Sequence, residues 1–290
     1  MKLLTYRRTD DSIGHGILTD DGTGVIELGD GDLATVVAAG LVPAAPTAPA
    51  QRFDLSDVTV LAPLQAPGKI ICAASNYQEH IDEGGGTRVD KTRTSPKLFN
   101  KFENAIAGPD DTFLIPEISA AADWEVELAV VIGREGRNIA TDDALDHVFG
   151  YATANDLSLR ALDKIGFERD TENAWVGFFD WLEGKWADNS APVGPYLVTA
   201  DEIPDPQSLP IRLAVNGEIR QQSTTGGMIF TCAELIAFAS RLCTLRPGDI
   251  ILTGTPAGVG ATTGTYLNDG DVMVAEVEGL GKLVTPVRTA

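Results

Sequence analysis

At 290 residues and 43% hydrophobic content, the chain is long enough for one large domain or a large domain with a small appendage, and too apolar for disorder. A formal net charge of −20 and a pI near 4.4 argue against binding to nucleic-acid phosphates and against docking on anionic membranes. Cys72, Cys232 and Cys243 are odd in number and lack zinc-site spacing, so free thiols in a reducing compartment are expected.

The N-terminus has no apolar segment of signal-peptide length and no later run reaches membrane length, which gives the cytoplasm as the expected location. Residues 1–60 read as a small β-rich module. Lys2 to Tyr6, His15 to Leu18 and Val25 to Glu27 are β-prone and separated by Asp/Gly turns, and Asp32 to Ala39 fits a short helix ending at Gly40. The Pro/Ala tract Val42 to Ala50 marks a linker, and residues 61–290 read as one large β-rich domain with accessory helices. Lys69 to Ala74 is an apolar strand, followed by a polar, helix-compatible stretch to Glu83 with Ser75 or Asn76 as its cap. The glycine triplet Gly84-Gly85-Gly86 reads as a hinge beside it, and Lys97 to Phe102 as the next strand. Phe149 to Asn155 is β-like, while Asp156 to Lys164 fits a helical turn or a loop. Gly177 to Trp186 is aromatic and contains Lys185. Ile211 to Gln222 carries an Asn216-Gly217 hairpin signal, Cys232 to Leu242 has the apolar spacing of a helix, and Ile250 to Thr253 and Val272 to Val277 close as strands.

The stretch Asp123 to Gly133 carries the strongest chemical signal. Alternation in a strand puts Glu125 and Glu127 on one face, roughly 7 Å apart. Two carboxylates so placed repel unless a cation lies between them, and a hard divalent ion with oxygen ligands would serve. A solvated edge strand is the bland alternative. Asp156, at the end of an apolar strand, supplies a third carboxylate or else a simple turn cap. His80 and Glu83, three residues apart, fit a base oriented by a carboxylate, against the alternative of a surface ion pair. Thr253 to Gly260 is a Gly-rich turn after a strand; with neither P-loop nor dinucleotide spacing, its N–H groups suit an anion-binding concavity for a carboxylate.

Taken in order, these pieces carry a family resemblance. Asn76-Tyr77-x-x-His80-x-x-Glu83 is followed by Asp123-Trp124-Glu125-x-Glu127 and by Asn155-Asp156-x-Ser158-x-Arg160. Gly184-Lys185, Gly194-Pro195, Asn216-Gly217-Glu218-x-Arg220-Gln221 and Thr253-Gly254-Thr255-Pro256-x-Gly258 complete the series. From about Pro67 to Arg288 the chain resembles the fumarylacetoacetate hydrolase family. The resemblance implies a β-rich α+β fold, a mixed β-sandwich or roll with a small N-terminal domain, assembled as a homodimer and holding Mg²⁺ or Mn²⁺. It implies Glu125, Glu127 and Asp156 as metal ligands. It also implies His80, Glu83 and Lys185 as catalytic residues, the first two on a lid, and Lys101, Arg160, Gln221 and Thr255 as substrate contacts. The chain departs from the family pattern at Ala161-Leu162-Asp163, at Phe102 and in the aromatic run to Trp186, where substrate specificity would be expressed.

The activity expected is metal-dependent hydrolysis of a C–C bond in a 2,4-dioxo acid, of acylpyruvate type or a diketo sugar acid. His80 would take a proton from water and Lys185 would face the developing enolate. The same parts suit decarboxylation of an oxaloacetate-type β-keto acid or a keto–enol isomerisation like that of 2-hydroxyhepta-2,4-diene-1,7-dioate. A non-catalytic metal- or carboxylate-binding module is the third reading.

Overall fold

In the computed structural model, which describes residues 1–40, 42–43, 50–170 and 172–290, the strand Val126–Ile132 is buried along its whole length. Alternation sends Val126, Leu128, Val130 and Ile132 into one core, with Leu213, Met273, Ala275 and Leu283 of a second sheet and Leu235 and Ile236 of the Cys232–Leu242 helix. Ala129 and Val131 face a second core with Ile70, Cys72, Ile250 and Leu252. Both edges are covered too, by antiparallel Val148–Asn155 on one side and Ile250–Leu252 on the other. A continuous apolar run is what such a position demands.

This strand lies inside a 12-stranded mixed sheet. Outward through Val148–Asn155 the sheet continues to Ala191–Thr199, Lys2–Arg7, Ile13–Leu18, Gly24–Asp30 and Arg52–Asp54. In the other direction Ile250–Leu252 pairs in parallel with Ile70–Ala74, which pairs with Lys97–Lys101 at the edge. Glu218–Thr224, Pro210–Val215, Val272–Val277, Gly281–Thr289 and Phe113–Ile115 form a five-stranded second sheet over the first core. The expected hairpin is present, with Asn216 and Gly217 at φ 51° and 81° as a type I′ turn requires. The Cys232–Leu242 helix starts with a capping box between Thr231 and Glu234.

The N-terminal strands extend the main sheet, because Lys2 and Leu3 pair with Val198 and Leu197. Thr59–Leu61, which straddles the sequence boundary at residue 60, pairs with the same Lys2–Arg7 strand. The boundary therefore falls within a shared sheet. Most of the linker Val42–Ala50 lies outside the described residues. Among the described residues no helix is long and apolar enough to cross a membrane.

Two local expectations are corrected. The polar helix spans Gln78–Glu83 with Tyr77 at its N-cap and no side-chain cap. Ser75 adopts φ 52°, and the Asn76 side chain is spent on Phe230 and Thr253. The aromatic run contains a helix, Ala174–Glu183, that neither its aromatic side chains nor Gly177 favour; Asn173 starts it by accepting from the Trp175 N–H.

The topology brings five segments to one end of the sheet's central strands. Ile70–Ala74 and Ile250–Leu252 are parallel, so their C-terminal ends emerge together. Val126–Ile132 runs antiparallel to Ile250–Leu252 and to Val148–Asn155, so its first residues lie where both of those strands end. Residues 73–76, 125–127, 155–156 and 253–255 thus meet there, and Lys185 joins them just past the Ala174–Glu183 helix.

Candidate active site at the strand ends

Glu127 shares the strand face of Ala129 and Val131, and Glu125 continues that face to the strand's end. Asp156 follows the Val148–Asn155 strand, and its N–H donates to the Glu125 carbonyl at 2.8 Å. Ligand oxygens of Glu125, Glu127 and Asp156 all lie within 4.8 Å of one another. Their exposures of 6%, 1% and 1% rule out a solvated strand face.

Three cations answer this charge. Lys185 Nζ lies 2.9 Å from Glu125 Oε2 and 2.8 Å from Asp156 Oδ2. Lys101 Nζ donates to Asp156 Oδ1 at 2.6 Å and to the Leu157 carbonyl at 2.7 Å. Arg160 pairs with Glu125 at 2.5 Å and with the fully buried Asp123 at 2.8 Å. Gly184 makes the Lys185 approach possible, because a Cβ there would sit 2.0 Å from the Leu159 carbonyl oxygen. With Asp123 included, four carboxylates face three cations, leaving one negative charge in excess.

The excess falls on Glu127. Its one hydrogen-bond donor is the Gly254 N–H at 2.6 Å, and no cation pairs with it among the described residues. Burial, with repulsion from Asp156 and Glu125, pushes its carboxyl well above the usual range. Glu125 goes the other way. Burial would raise it, but Lys185 and Arg160 pull it down to about 2. Burial likewise opposes the charge on Lys185, yet Asp156 and Glu125 hold its ammonium above the ordinary lysine value. Lys101 is lowered, because burial and the neighbouring Lys185 outweigh Asp156. Three converging oxygen donors with one uncompensated negative charge fit a hard divalent cation.

His80 and Glu83 sit at the mouth, 20% and 18% exposed. His80 Nδ1 is 2.7 Å from Glu83 Oε1; a carboxylate only accepts, so this ring nitrogen is the donor and Nε2 is the one left without a protein partner among the described residues. The Gly-rich turn holds this pair in place. Gly258 N–H and the Thr262 hydroxyl donate to Glu83 Oε2 at 2.8 and 3.3 Å, and the Ser223 hydroxyl donates to Glu79 at 2.5 Å. Gly258, at φ 105°, is irreplaceable there, since a Cβ would meet the Arg220 carbonyl at 2.0 Å. The anion concavity expected of this turn exists, but it holds the protein's own carboxylates. Gly254 serves Glu127, Gly258 serves Glu83, and Gly260 and Ala261 serve Asp123.

A chamber of about 70 Å³ opens onto Glu125, with Ser75, His80, Arg160, Lys185 and Thr255 also lining it, while Glu127 and Asp156 do not line it. Phe99 and Trp181, edge to face at 5.0 Å, close its wall. It shares Ser75, His80 and Arg160 with an outer vestibule of about 720 Å³. Of the residues expected to touch substrate, Arg160 and Thr255 line the chamber, and Lys101 and Gln221 line neither cavity. Lys101 stands behind Asp156. Gln221 spends both ends of its amide behind the wall, donating to Thr255 Oγ1 and the Pro256 carbonyl and accepting from the Val126 N–H. Ala161 and Asp163, where the sequence departs from the family pattern, also line neither cavity; Asp163 accepts from the Ala120 N–H instead. Sequence reasoning missed Asp123 as the brace for Arg160, and it missed Trp181 as chamber wall. The aromatic run was visible, but which ring turned inward was not.

This arrangement has known counterparts. The family profile described as fumarylacetoacetate (FAA) hydrolase, C-terminal, matches residues 69–288. The chain belongs to the fumarylacetoacetate hydrolase family. Within this family, it is 45% identical to a mitochondrial oxaloacetate tautomerase of Xenopus laevis, over 80% of this chain and 69% of that protein. A fumarylacetoacetate hydrolase from the psychrophile Exiguobacterium antarcticum superposes with a TM-score of 0.81 at 33% identity, covering all of both chains. Maleylpyruvate hydrolase from Sphingobium sp. SYK-6, solved with manganese(II) and pyruvate, superposes with a TM-score of 0.74 at 27% identity, again over both whole chains. Relatives of this family are enzymes acting on small molecules, and their sheet-rich fold is the one described above.

Proposed function

We propose that this chain is a divalent-metal-dependent enzyme that interconverts the enol and keto forms of a 2-oxo acid of oxaloacetate type. The buried convergence of Glu125, Glu127 and Asp156, with one charge uncompensated, carries the reading. These three would hold the ion, Mg²⁺ or Mn²⁺. When bound, it supplies Lewis-acid polarisation of the substrate's 2-oxo group. The manganese and pyruvate in the Sphingobium relative support both halves of this assignment.

The chain's own residues then divide the work. His80 Nε2 takes the proton from the enol oxygen and returns one to the adjacent carbon. Glu83 fixes the ring's tautomer throughout. Lys185, hydrogen-bonded to Glu125 and Asp156, presents its ammonium to the oxygen on which negative charge develops. Arg160 and Thr255 bound the chamber in which the acid head lies, while Lys101 and Gln221 position Asp156 and Thr255 from behind. Sequence alone ranked C–C hydrolysis first; similarity to the tautomerases supports proton transfer ahead of it.

Hydrolysis stays as a second reading on one observation: the His80–Glu83 pair is partly exposed at the mouth, where it can reach a water. Decarboxylation of oxaloacetate needs the same chamber without that water. EDTA-stripped protein, assayed with and without Mn²⁺ or Mg²⁺, separates the three. Metal-dependent loss of oxaloacetate enol absorbance without pyruvate release is expected. Pyruvate with CO₂ from oxaloacetate would make it a decarboxylase, and pyruvate from an acylpyruvate would make it a hydrolase. Cytoplasmic location and assembly as a homodimer remain proposals beside these; cell fractionation and sedimentation velocity test them.

A further inference from the structure

Among the described residues, six that are not glycine have backbone φ in the left-handed region, between 51° and 66°. Five of them, Asp11, Asp110, Asn138, Asn189 and Asn216, are of the two types that tolerate it best. The sixth is Ser75, at 52°. It is fixed from both sides. Ala74 before it pairs with Lys97 across the sheet. Asn76 after it is 2% exposed; its side-chain amide donates to the Phe230 and Thr253 carbonyls at 2.9 and 2.8 Å and accepts from the Phe230 N–H at 2.8 Å. Glycine would suit a backbone clamped in this way better than serine does. A side chain is held there against its preference, and strained positions of this kind gather where ligands are handled.

Ser75 lines both the inner chamber and the vestibule, so it stands at the throat between them. It is exposed, and its hydroxyl has no hydrogen-bond partner among the described residues. Thr255, the other hydroxyl of the chamber wall, is the opposite case. At 3% exposure it donates to the Val126 carbonyl at 2.9 Å and accepts from the Gln221 amide at 2.8 Å. A hydroxyl carries one proton, so Thr255 has none left to give a substrate. Arg160 lines both cavities beside Ser75, and a free donor next to a guanidinium suits an anionic oxygen. We propose that Ser75 is a substrate-binding residue, whose hydroxyl donates to the carboxylate of a 2-oxo acid seated at the throat, a contact that the family resemblance assigns to Thr255. This rests on reading the inner chamber as the 2-oxo acid site. Thr255 keeps the task of fixing the Gly-rich turn to the Glu125–Glu127 strand.

The test measures pyruvate binding to Mn²⁺-loaded full-length protein by titration calorimetry, with Tm and Mn²⁺ affinity determined beside it. Ser75→Gly is the decisive variant, because glycine accepts the backbone angle and removes only the hydroxyl. It should keep its Tm and its Mn²⁺ affinity, yet bind pyruvate at least about tenfold more weakly, as loss of a charge-assisted hydrogen bond predicts. Ser75→Ala should lose the same affinity at a slightly lower Tm. Thr255→Val should do the reverse, lowering Tm while costing pyruvate less affinity than either Ser75 change. Full pyruvate affinity in Ser75→Gly means that Ser75 serves only the turn, and overturns the proposal. So does a loss in Thr255→Val as large as in Ser75→Gly, or a fall in Mn²⁺ affinity that accounts for the pyruvate loss. Should Thr255→Val not fold, the two Ser75 variants decide alone. If the unaltered Mn²⁺-loaded protein does not bind pyruvate, the 2-oxo acid reading itself fails and Ser75's role falls with it.

Discussion

Glu125, Glu127 and Asp156 stand at the ends of strands that are paired on both edges, whereas His80 and Glu83 ride on a six-residue helix at the mouth. The first group is withdrawn from water, and Glu125 and Asp156 are paired with lysine and arginine side chains that are themselves buried or nearly so, while Glu127 has only the Gly254 N–H. The second is tied down by hydrogen bonds from Gly258, Thr262 and Ser223, because a helix this short has no stability of its own. The difference separates two tasks. Fixed charges in a low-dielectric pocket act strongly without reorganising. On the proposed function, a base carried by such a short element, held only by hydrogen bonds from its neighbours, can part from them to admit substrate and dock again over it.

Glu127→Gln tests the buried half most severely. Metal-dependent tautomerisation should fall by about 10³-fold or more. The Tm of the metal-free protein should nevertheless rise, since the uncompensated carboxylate is gone. The Tm gain that Mn²⁺ gives the unaltered protein should disappear. A variant that is less stable without metal would mean Glu127 is already neutralised by its surroundings.

The mouth is tested by His80→Ala, expected to lower kcat by about 10²-fold or more while Mn²⁺ affinity stays within error. Glu83→Gln should cost less, on the order of 10–100-fold, because it disturbs the tautomer of His80 and leaves the base in place. If either change weakens Mn²⁺ binding as much as Glu127→Gln does, the two regions are one unit and the division fails.

Lys101→Met probes the support behind the carboxylates. Losing a buried partner of Asp156 should destabilise the metal-free protein by about 3–5 kcal/mol in urea unfolding. Mn²⁺ affinity should fall by about tenfold, with KM for substrate little changed, as suits a residue outside both cavities. The smallest expected effect is a chemical one. Burial raises the Cys72 thiol well above its ordinary value and Cys232 to about 12, so at pH 8 neither forms thiolate in the native protein. A thiol reagent should label Cys243 first, and Cys72, behind the carboxylates, only on unfolding.

Much of this division was legible in residue patterns, and where it was not the reason is physical. The alternation before Ala129 and the solid apolar run after it announced a strand buried on both faces, because period two is a property of the backbone. The Asn216-Gly217 turn and the Cys232–Leu242 helix were equally local signals. The family motifs named Glu125, Glu127, Asp156, His80, Glu83 and Lys185, and the fold brings all six to one end of the central strands. What stayed hidden depends on direction in space. Nothing in the order of residues says that Gln221 faces away from the chamber, that Asp123 braces Arg160, or that the Gly-rich turn caps the protein's own carboxylates. The Ala174–Glu183 helix was missed because its residues favour helix poorly one by one, and packing of Trp181 against Phe99 overrides them.

The parallel pairing of Ile70–Ala74 with Ile250–Leu252 has a consequence for how the protein is made. Asn76 waits for a partner, Thr253, that lies 177 residues further along the chain. At roughly 5–20 residues per second, a ribosome needs on the order of 10–35 s to supply it. For that interval the apolar Ile70–Ala74 strand has emerged without the neighbour that covers its inner edge. Contacts of such long range slow folding, because chain entropy is lost before they form. The site is therefore closed late, by the last third of the chain. A nascent chain stalled before Ile250 would expose a bare strand edge to chaperones or to aggregation.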